Sequence, residues 1–135
     1  MKKSVFAVGL LAALALTTGA AQAADAAAGE KLAKQRCVAC HTFEQGGANK
    51  VGPNLFGIIE RGPNKAEGFN YSDGYVKAAA AGFAWDDKNL DEYLTDPTAF
   101  LRHHAADDKA RSKMTFKLPK AEDRADVIAY MHTLK

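Results

Sequence analysis

Two cysteines and the histidine that follows them are the residues whose spacing most clearly points to chemistry. They form the stretch Cys37-Val38-Ala39-Cys40-His41, and the chain has no other cysteine. Positions three apart on a helix lie on one face, so both thiols can reach one edge of a porphyrin and form thioethers with its vinyl groups. His41 follows Cys37 by four residues, so its ring stays on that side and can offer a nitrogen to iron. This pattern is the attachment signature of c-type haem.

Other uses of two cysteines fit the sequence less well. A four-thiolate zinc site would need more cysteines than the chain has. A redox dithiol of the thioredoxin type needs a βαβ setting, and no strand pattern precedes this pair. An oxidising compartment favours a disulfide, but adjacent helical turns are a poor place for one. Covalent haem is therefore the better use of both thiols.

The N-terminal stretch is typical of a secretory signal peptide. Lys2 and Lys3 precede an apolar run over residues 5–16, and Ala21-Gln22-Ala23 is an A-x-A cleavage site. The run is shorter than the roughly 20 residues that a membrane-spanning helix needs. We predict cleavage after Ala23, export to the periplasm and a mature domain over residues 24–135. An uncleaved membrane anchor is the alternative.

Charge and length narrow the class of protein. The full chain has 18 basic and 16 acidic side chains. The predicted signal peptide contains two of the lysines and no acid, so the mature domain has no net formal charge. It also has no basic run and no aromatic platform, which argues against nucleic-acid binding. A mature length of about 110 residues supports one domain with one core.

The sequence around the cysteine–histidine motif has the residue pattern of helices and not of strands. No stretch shows sustained alternation of apolar and polar residues. The predicted helices are Asp25–Arg36 with Asp25 as N-cap, Val76–Ala81, one opened by Asp86-Asp87, one opened by Asp96-Pro97, and Ala121–Leu134. We expect an all-α domain of four or five helices with long loops. Such loops are unusual in a small domain, and a haem wrapped by them would supply the missing core.

A second axial ligand of the iron would decide its chemistry. A methionine thioether raises the reduction potential, a second histidine gives a low-potential carrier, and an open site binds small ligands or peroxide. Met131 belongs to the apolar stripe of the last helix, and His132 lies on its polar face. Met114 is in a predicted loop and is not part of the apolar face of a helix, so it is the preferred ligand. The pair His103-His104 is the main rival.

Four further residues are candidates to surround the haem. The carbonyl of Pro53 follows His41 by about one loop closure and could hold its second ring nitrogen. Arg61, Tyr71 and Trp85 could donate hydrogen bonds to haem propionates. Taken singly, each residue also fits a role without haem. Pro53 could simply form a turn, Arg61 could be solvated, and Tyr71 and Trp85 could be ordinary core aromatics.

With these residues placed, the chain resembles the class I c-type cytochromes, most of all the bacterial cytochrome c2 group, relatives of the mitochondrial carrier. The likeness covers essentially the whole mature chain. Cys37, Cys40 and His41 match the attachment motif. The stretch KVGPNLFG at residues 50–57 matches the segment after it, and KMTF at 113–116 matches the segment of the axial methionine.

The resemblance assigns roles to single residues. It implies that the Pro53 carbonyl holds His41 and that Met114 is the second ligand. It makes Arg61, Tyr71 and Trp85 the propionate partners, and it puts the Tyr93 hydroxyl near the methionine sulfur. It also implies that Gly29 and Tyr130 lie at a close contact between the first and last helices.

The chain departs from the family pattern at three places. Ala33 stands where the first helix usually has an aromatic residue, so that contact must be repacked. Tyr75 replaces an asparagine that is common near the buried hydrogen-bond network. The stretch between Pro97 and Met114 is longer than in mitochondrial members, and this insert carries His103 and His104.

The function implied is that of a soluble, monomeric, single-haem electron carrier that cycles between Fe(III) and Fe(II), and not of an enzyme. Its partners would be membrane redox complexes, with a quinol-oxidising cytochrome complex as donor and a terminal oxidase or photosynthetic reaction centre as acceptor. A basic face at the haem edge would steer them. Its candidates are Arg36, Lys50, Lys113, Lys117 and Lys120. The alternative is a haem peroxidase or a small-ligand-binding haem protein with an open or labile sixth site.

Overall fold

The structure is a computed structural model and describes residues 22–135. Within those residues the regular secondary structure consists of helices alone. Apart from Gln22 and Ala23, the predicted signal peptide lies outside the described residues. The helices are α1 (Ala26–Arg36), α2 (Ile58–Arg61), α3 (Asp73–Ala80), α4 (Asp87–Thr95), α5 (Pro97–Ala105) and α6 (Ala121–Met131). The all-α fold is confirmed. None of these helices is long and apolar enough to cross a bilayer.

Capping side chains determine where three of the helices begin. Asp25, Asp86 and Asp96 each accept hydrogen bonds from backbone N–H groups in the first turn of α1, α4 and α5. A carboxylate suits this place because it satisfies donors that the helix leaves unpaired. Pro97 occupies the first turn of α5, where its missing N–H costs nothing. These starts agree with those predicted from the sequence.

Three helical stretches differ from the prediction. The last helix, α6, ends at Met131 and not at Leu134, because the N–H groups of Thr133 and Leu134 bond to carbonyls three residues back. The sequence indicated a helix from Val76, whereas α3 already begins at Asp73, because the hydroxyl of Ser72 caps it by accepting the Tyr75 N–H. The single turn α2 lies outside every predicted helix, and it brings the number of helices described to six. Its N-cap is Gly57 in the left-handed region, at φ 64°. A one-turn helix is too short to leave a periodic pattern in the sequence.

The first and last helices cross at Gly29. A Cβ built on this buried glycine would lie 1.9 Å from the Asp126 carbonyl oxygen of α6. Further along α1, Ala33 is completely buried. The ring of Tyr130 packs against Phe43, with centroids 5.8 Å apart. An aromatic residue from the loop after His41 therefore contacts α6.

A buried arginine fixes the loop that leads into α6. The Nε of Arg124 donates to Asp91 of α4 at 2.7 Å, and its Nη1 donates to the carbonyls of Leu118 and Pro119. The Leu118 N–H in turn donates to the Leu94 carbonyl at 2.8 Å. The C-terminal end of the loop that carries Met114 is thereby held against α4.

The ring of His104, on the last turn of α5, lies against aromatic side chains. Its centroid is 4.1 Å from that of Phe100 and 5.2 Å from that of Phe83. Its Nε2 is buried and has no hydrogen-bond partner among the described residues. Burial lowers the pKa of His104, and the neighbouring His103 lowers it further, while Glu92 and Lys88 of α4 act in opposite directions.

We expect acid to destabilise the fold through His104. The unfolded imidazole, with a pKa of 6.5, binds a proton more readily than the folded one. The stabilisation is therefore fully present above that pH and is lost as the pH falls through the lower folded pKa. Chemical denaturation between about pH 5 and pH 7 should show a smaller pH slope of the unfolding free energy for His104→Phe than for the wild type. Equal slopes would contradict this assignment.

Candidate functional site

One cleft collects most of the residues that the sequence analysis singled out. Its empty volume is about 1170 Å³, part of it open to solvent. The predicted residues that line it are Cys37, Cys40, His41, Pro53, Tyr71, Trp85, Tyr93 and Met114. These residues come from α4 and from the loops between helices, so the fold brings together side chains up to 77 positions apart in the sequence.

The two cysteines lie in a helical turn that continues α1. Cys37 is the C-cap of α1. Its carbonyl accepts hydrogen bonds from the N–H groups of Cys40 at 3.0 Å and His41 at 2.9 Å. The two cysteines do not form a disulfide with each other, and both line the cleft. Burial raises the pKa of the Cys37 thiol, and the neighbouring Cys40 raises it further. This turn presents the two sulfur atoms and the imidazole to the same space.

The ring of His41 is held in one orientation. Its Nδ1 lies 2.7 Å from the Pro53 carbonyl oxygen. A carbonyl can only accept, so Nδ1 carries the proton and Nε2 keeps its lone pair. Burial lowers the pKa of His41, which favours the neutral, ligating form. A Cβ on Gly52 would lie only 2.3 Å from Cε1 of this ring, so the loop can pass the imidazole only because residue 52 is a glycine.

Met114 is joined to Tyr93 through a serine that sequence reasoning missed. The Tyr93 hydroxyl lies 3.2 Å from Oγ of Ser112, which also accepts the Met114 N–H at 3.1 Å. Burial raises the pKa of Tyr93 to about 12, so its hydroxyl keeps its proton at neutral pH. The only sequence signal for Ser112 was its position two residues before Met114.

Hydrogen-bond donors surround the apolar cleft. Nε1 of Trp85 is buried without a partner among the described residues. The Tyr71 hydroxyl accepts the Ala66 N–H at 3.2 Å, and its ring stacks on Tyr75 at 4.5 Å. Its own proton can therefore be donated to an acceptor. Such donors fit a flat apolar group that carries acidic substituents.

Arg61 occupies a different place from the other predicted haem partners. It is absent from the residues that line the cleft. Its terminal nitrogens donate to the carbonyls of Phe56 at 3.1 Å and Asn54 at 2.6 Å. Only its Nε, which is buried, lacks a partner within residues 22–135. In this arrangement Arg61 ties α2 to the loop that follows Pro53.

The arrangement suits haem better than a bare metal ion. Within residues 22–135, no three His, Cys, Asp or Glu side chains converge to hold a metal. The cleft instead offers two thiols on one turn, one oriented imidazole and the unpaired Nε1–H donor of Trp85. These are the groups that a covalently attached iron porphyrin with propionates would use.

Comparison with known proteins agrees with this chemistry. The cytochrome c family model matches residues 26–135. Cytochrome c-550 of Novispirillum itersonii is 65% identical over 111 residues, which are 82% of this chain and 99% of that protein. Cytochrome c2 of Rhodospirillum rubrum is 52% identical over 136 residues and covers both chains completely.

A solved structure extends the likeness to the fold. The structure of cytochrome c2 from Rhodospirillum centenum superposes with a TM-score of 0.75 and 43% identity, covering 82% of this chain and 98% of that one. Cytochromes of this group are electron carriers and not enzymes. The chain therefore belongs to the cytochrome c family and is an electron carrier with one haem c, attached covalently through Cys37 and Cys40.

Proposed function

We propose that this protein is a periplasmic electron carrier whose haem iron is held between His41 and Met114. One observation carries the proposal: His41, oriented by the Pro53 carbonyl at 2.7 Å, and Met114 line the same cleft. A neutral imidazole and a soft thioether together favour Fe(II) more than two imidazoles do. The bound haem supplies the Fe(III)/Fe(II) couple, and the chain supplies ligands, burial and hydrogen-bond donors.

The histidines of the insert are poorly placed to replace Met114. His103 is exposed, and the His104 ring packs on Phe100 at 4.1 Å. Neither residue lines the cleft. Met131 does line it, but from α6, where it is buried in the hydrophobic core. These positions support Met114 as the ligand and weigh against a peroxidase or a ligand-binding protein with an open site.

A visible spectrum tests the ligation directly. We expect the oxidised holoprotein to show the weak red-edge band of sulfur-to-ferric-iron charge transfer. Met114→Ala should abolish this band and lower the reduction potential by on the order of 100 mV or more, because a soft ligand that favours Fe(II) is lost. Met131→Leu, a change that conserves volume in the core, is the control and should keep the band. A wild-type protein without the band, or a band that disappears only in Met131→Leu, would overturn the assignment.

The sequence and the comparisons support export and periplasmic shuttling. The family match begins at residue 26, close to the predicted cleavage site after Ala23. We infer a monomer that passes electrons between membrane redox complexes, a quinol-oxidising cytochrome complex as donor and a terminal oxidase or photosynthetic reaction centre as acceptor. The relatives named cytochrome c2 support this assignment.

A local positive face at the cleft would steer these partners. Arg36 and Lys113 line the cleft, and Lys50 donates to the Val38 carbonyl inside the attachment motif. Lys117 contributes less, because it is paired with Asp96 at 2.6 Å. Exposed side chains of Val38 and Val51 lie beside these charges in the sequence. A charged rim with apolar contacts suits brief, specific encounters.

Small redox reagents of opposite charge can detect this face without a known partner. We expect oxidation of the reduced protein by ferricyanide to slow about tenfold from low to high ionic strength, and oxidation by tris(phenanthroline)cobalt(III) to accelerate. The double variant Arg36→Gln/Lys50→Gln should weaken both trends. Lys34→Gln changes the charge at a residue that does not line the cleft and should preserve them. Salt-independent rates with both reagents would exclude a basic face.

A further inference from the structure

We propose that Ser72 is a positioning residue that latches the segment carrying Met114 onto the start of α3. The proposal rests on the function proposed above, in which Met114 ligates the iron. The Ser72 side chain bonds to the backbone of Arg111, which lies 39 residues further along the chain. The latch would control how often the thioether leaves the iron.

The Ser72 hydroxyl makes two hydrogen bonds in opposite directions. It donates to the Arg111 carbonyl at 2.7 Å and accepts the Tyr75 N–H at 3.2 Å. A hydroxyl can do both at once because it has one proton and two lone pairs. One side chain thus caps α3 and holds the backbone three residues before Met114. The sequence revealed neither role.

Close packing next to the serine supports the latch. A Cβ on Gly74 would lie 2.8 Å from the Arg111 nitrogen and 2.9 Å from Cβ of Ala110. Ala110 is itself buried. The first turn of α3 and the segment at residues 110–111 therefore touch without space for a methyl group.

Two lysine contacts flank the serine. Nζ of Lys113 donates to the Asn70 carbonyl, and Lys77 pairs with Asp107 at 2.9 Å. The C-terminal part of the insert, residues 107–113, is therefore attached to α3 and to the residues just before it. Of these attachments, the ion pair between Lys77 and Asp107 contributes little, because both side chains are partly exposed. The Ser72 bond and the close Gly74 contact carry the proposal.

The latch has a consequence for the metal ligand. Residues 107–120 contain no helix or strand, so the segment has many conformations to lose when the thioether meets the iron. Each contact that restrains the segment in advance lowers this cost and stabilises the ligated state. Releasing Ser72 should therefore raise the rate at which Met114 dissociates.

Cyanide binding to the ferric holoprotein measures that rate, because at saturating cyanide the reaction is limited by loss of the methionine. We expect Ser72→Ala to accelerate binding about fivefold, the factor that corresponds to one net hydrogen bond of about 1 kcal/mol. Ser72→Thr keeps a hydroxyl and should restore the wild-type rate. Asp25→Ala removes a cap of the same kind from α1, far from Met114 in sequence, and should leave the rate unchanged.

Gly74→Ala provides a second route that leaves the hydroxyl in place. Alanine favours a helix interior over glycine, so α3 itself should not weaken. We nevertheless expect faster cyanide binding, because the new methyl group pushes against residues 110–111. Wild-type rates in both Ser72→Ala and Gly74→Ala would overturn the latch.

Hydrogen exchange in the ferric protein gives a readout that does not depend on added ligand. The Ser112 N–H donates to Thr98, and the Met114 N–H donates to Ser112. Ser72→Ala should speed exchange of these two amides about fivefold and leave those of α1 unchanged. A wild-type protein without the sulfur-to-iron band would refute ligation by Met114. If that band is present but exchange and cyanide rates in Ser72→Ala equal those of the wild type, the latch alone is refuted.

Discussion

Gly52→Ala is expected to displace His41, the proposed proximal ligand of the iron. The added Cβ would lie 2.3 Å from Cε1 and 2.7 Å from Nδ1 of the ring. The loop cannot retreat, because the Gly52 N–H donates to the Cys40 carbonyl at 2.8 Å and the next residue is Pro53, whose carbonyl holds the ring. A clash of this size in a packed site costs about 3 kcal/mol or more.

Two measurements check this expectation. The yield of haem-loaded protein should fall severely, and electron paramagnetic resonance of any ferric product should show the iron shifted from low spin to high spin. Gly68→Ala is the control, because that glycine has a φ of 69° with no atom within 4 Å of a built Cβ. It should cost only about 1 kcal/mol of backbone strain and leave the spectrum unchanged. A low-spin Gly52→Ala protein of wild-type stability would disprove the role of Gly52.

Gly29→Ala is expected to destabilise the whole fold by about 3 kcal/mol or more. A Cβ there would lie 1.9 Å from the Asp126 carbonyl oxygen and 2.4 Å from the carbonyl carbon, both backbone atoms of α6. The two helices would have to separate, and Val127 and Ile128, which are buried in the core beside Asp126, would lose contacts.

The sign of the effect identifies its cause. In an isolated helix, alanine is better than glycine by about 1 kcal/mol, so propensity alone predicts stabilisation. Guanidinium denaturation of the holoprotein measures the difference. Ala27→Gly, at an exposed position of the same helix, is the matched control and should cost about 1 kcal/mol through propensity. If Gly29→Ala raised the midpoint of unfolding, the close crossing of α1 and α6 would be wrong.

Features encoded by neighbouring residues could be predicted from the sequence. The spacing of Cys37, Cys40 and His41 defines one helical turn, so it indicated haem attachment before any tertiary contact was known. Asp25, Asp86 and Asp96 cap their helices through N–H groups two or three residues away. In each case the interacting groups are separated by less than one turn, and their geometry follows from backbone conformation alone.

Other features were decided by contacts between distant residues. The bond between Tyr93 and Ser112 spans 19 positions and that between Ser72 and Arg111 spans 39. Neither bond leaves a periodic signal in the sequence. The helix α3 begins before Val76 because the Ser72 hydroxyl caps it, and the same hydroxyl makes the bond to Arg111. Arg61 donates to the carbonyls of Phe56 and Asn54, and its role at the haem propionates stays a prediction.

The amino-acid sequence by itself thus determined the attachment chemistry, the helical class and the capped helix starts, because these depend on residues within a turn or two. Only the tertiary structure decided how His41 is oriented, what holds the Met114 segment and how closely α1 and α6 approach. Those depend on which surfaces meet after packing, and distances such as the 2.7 Å from His41 to the Pro53 carbonyl exist only once the whole core has closed.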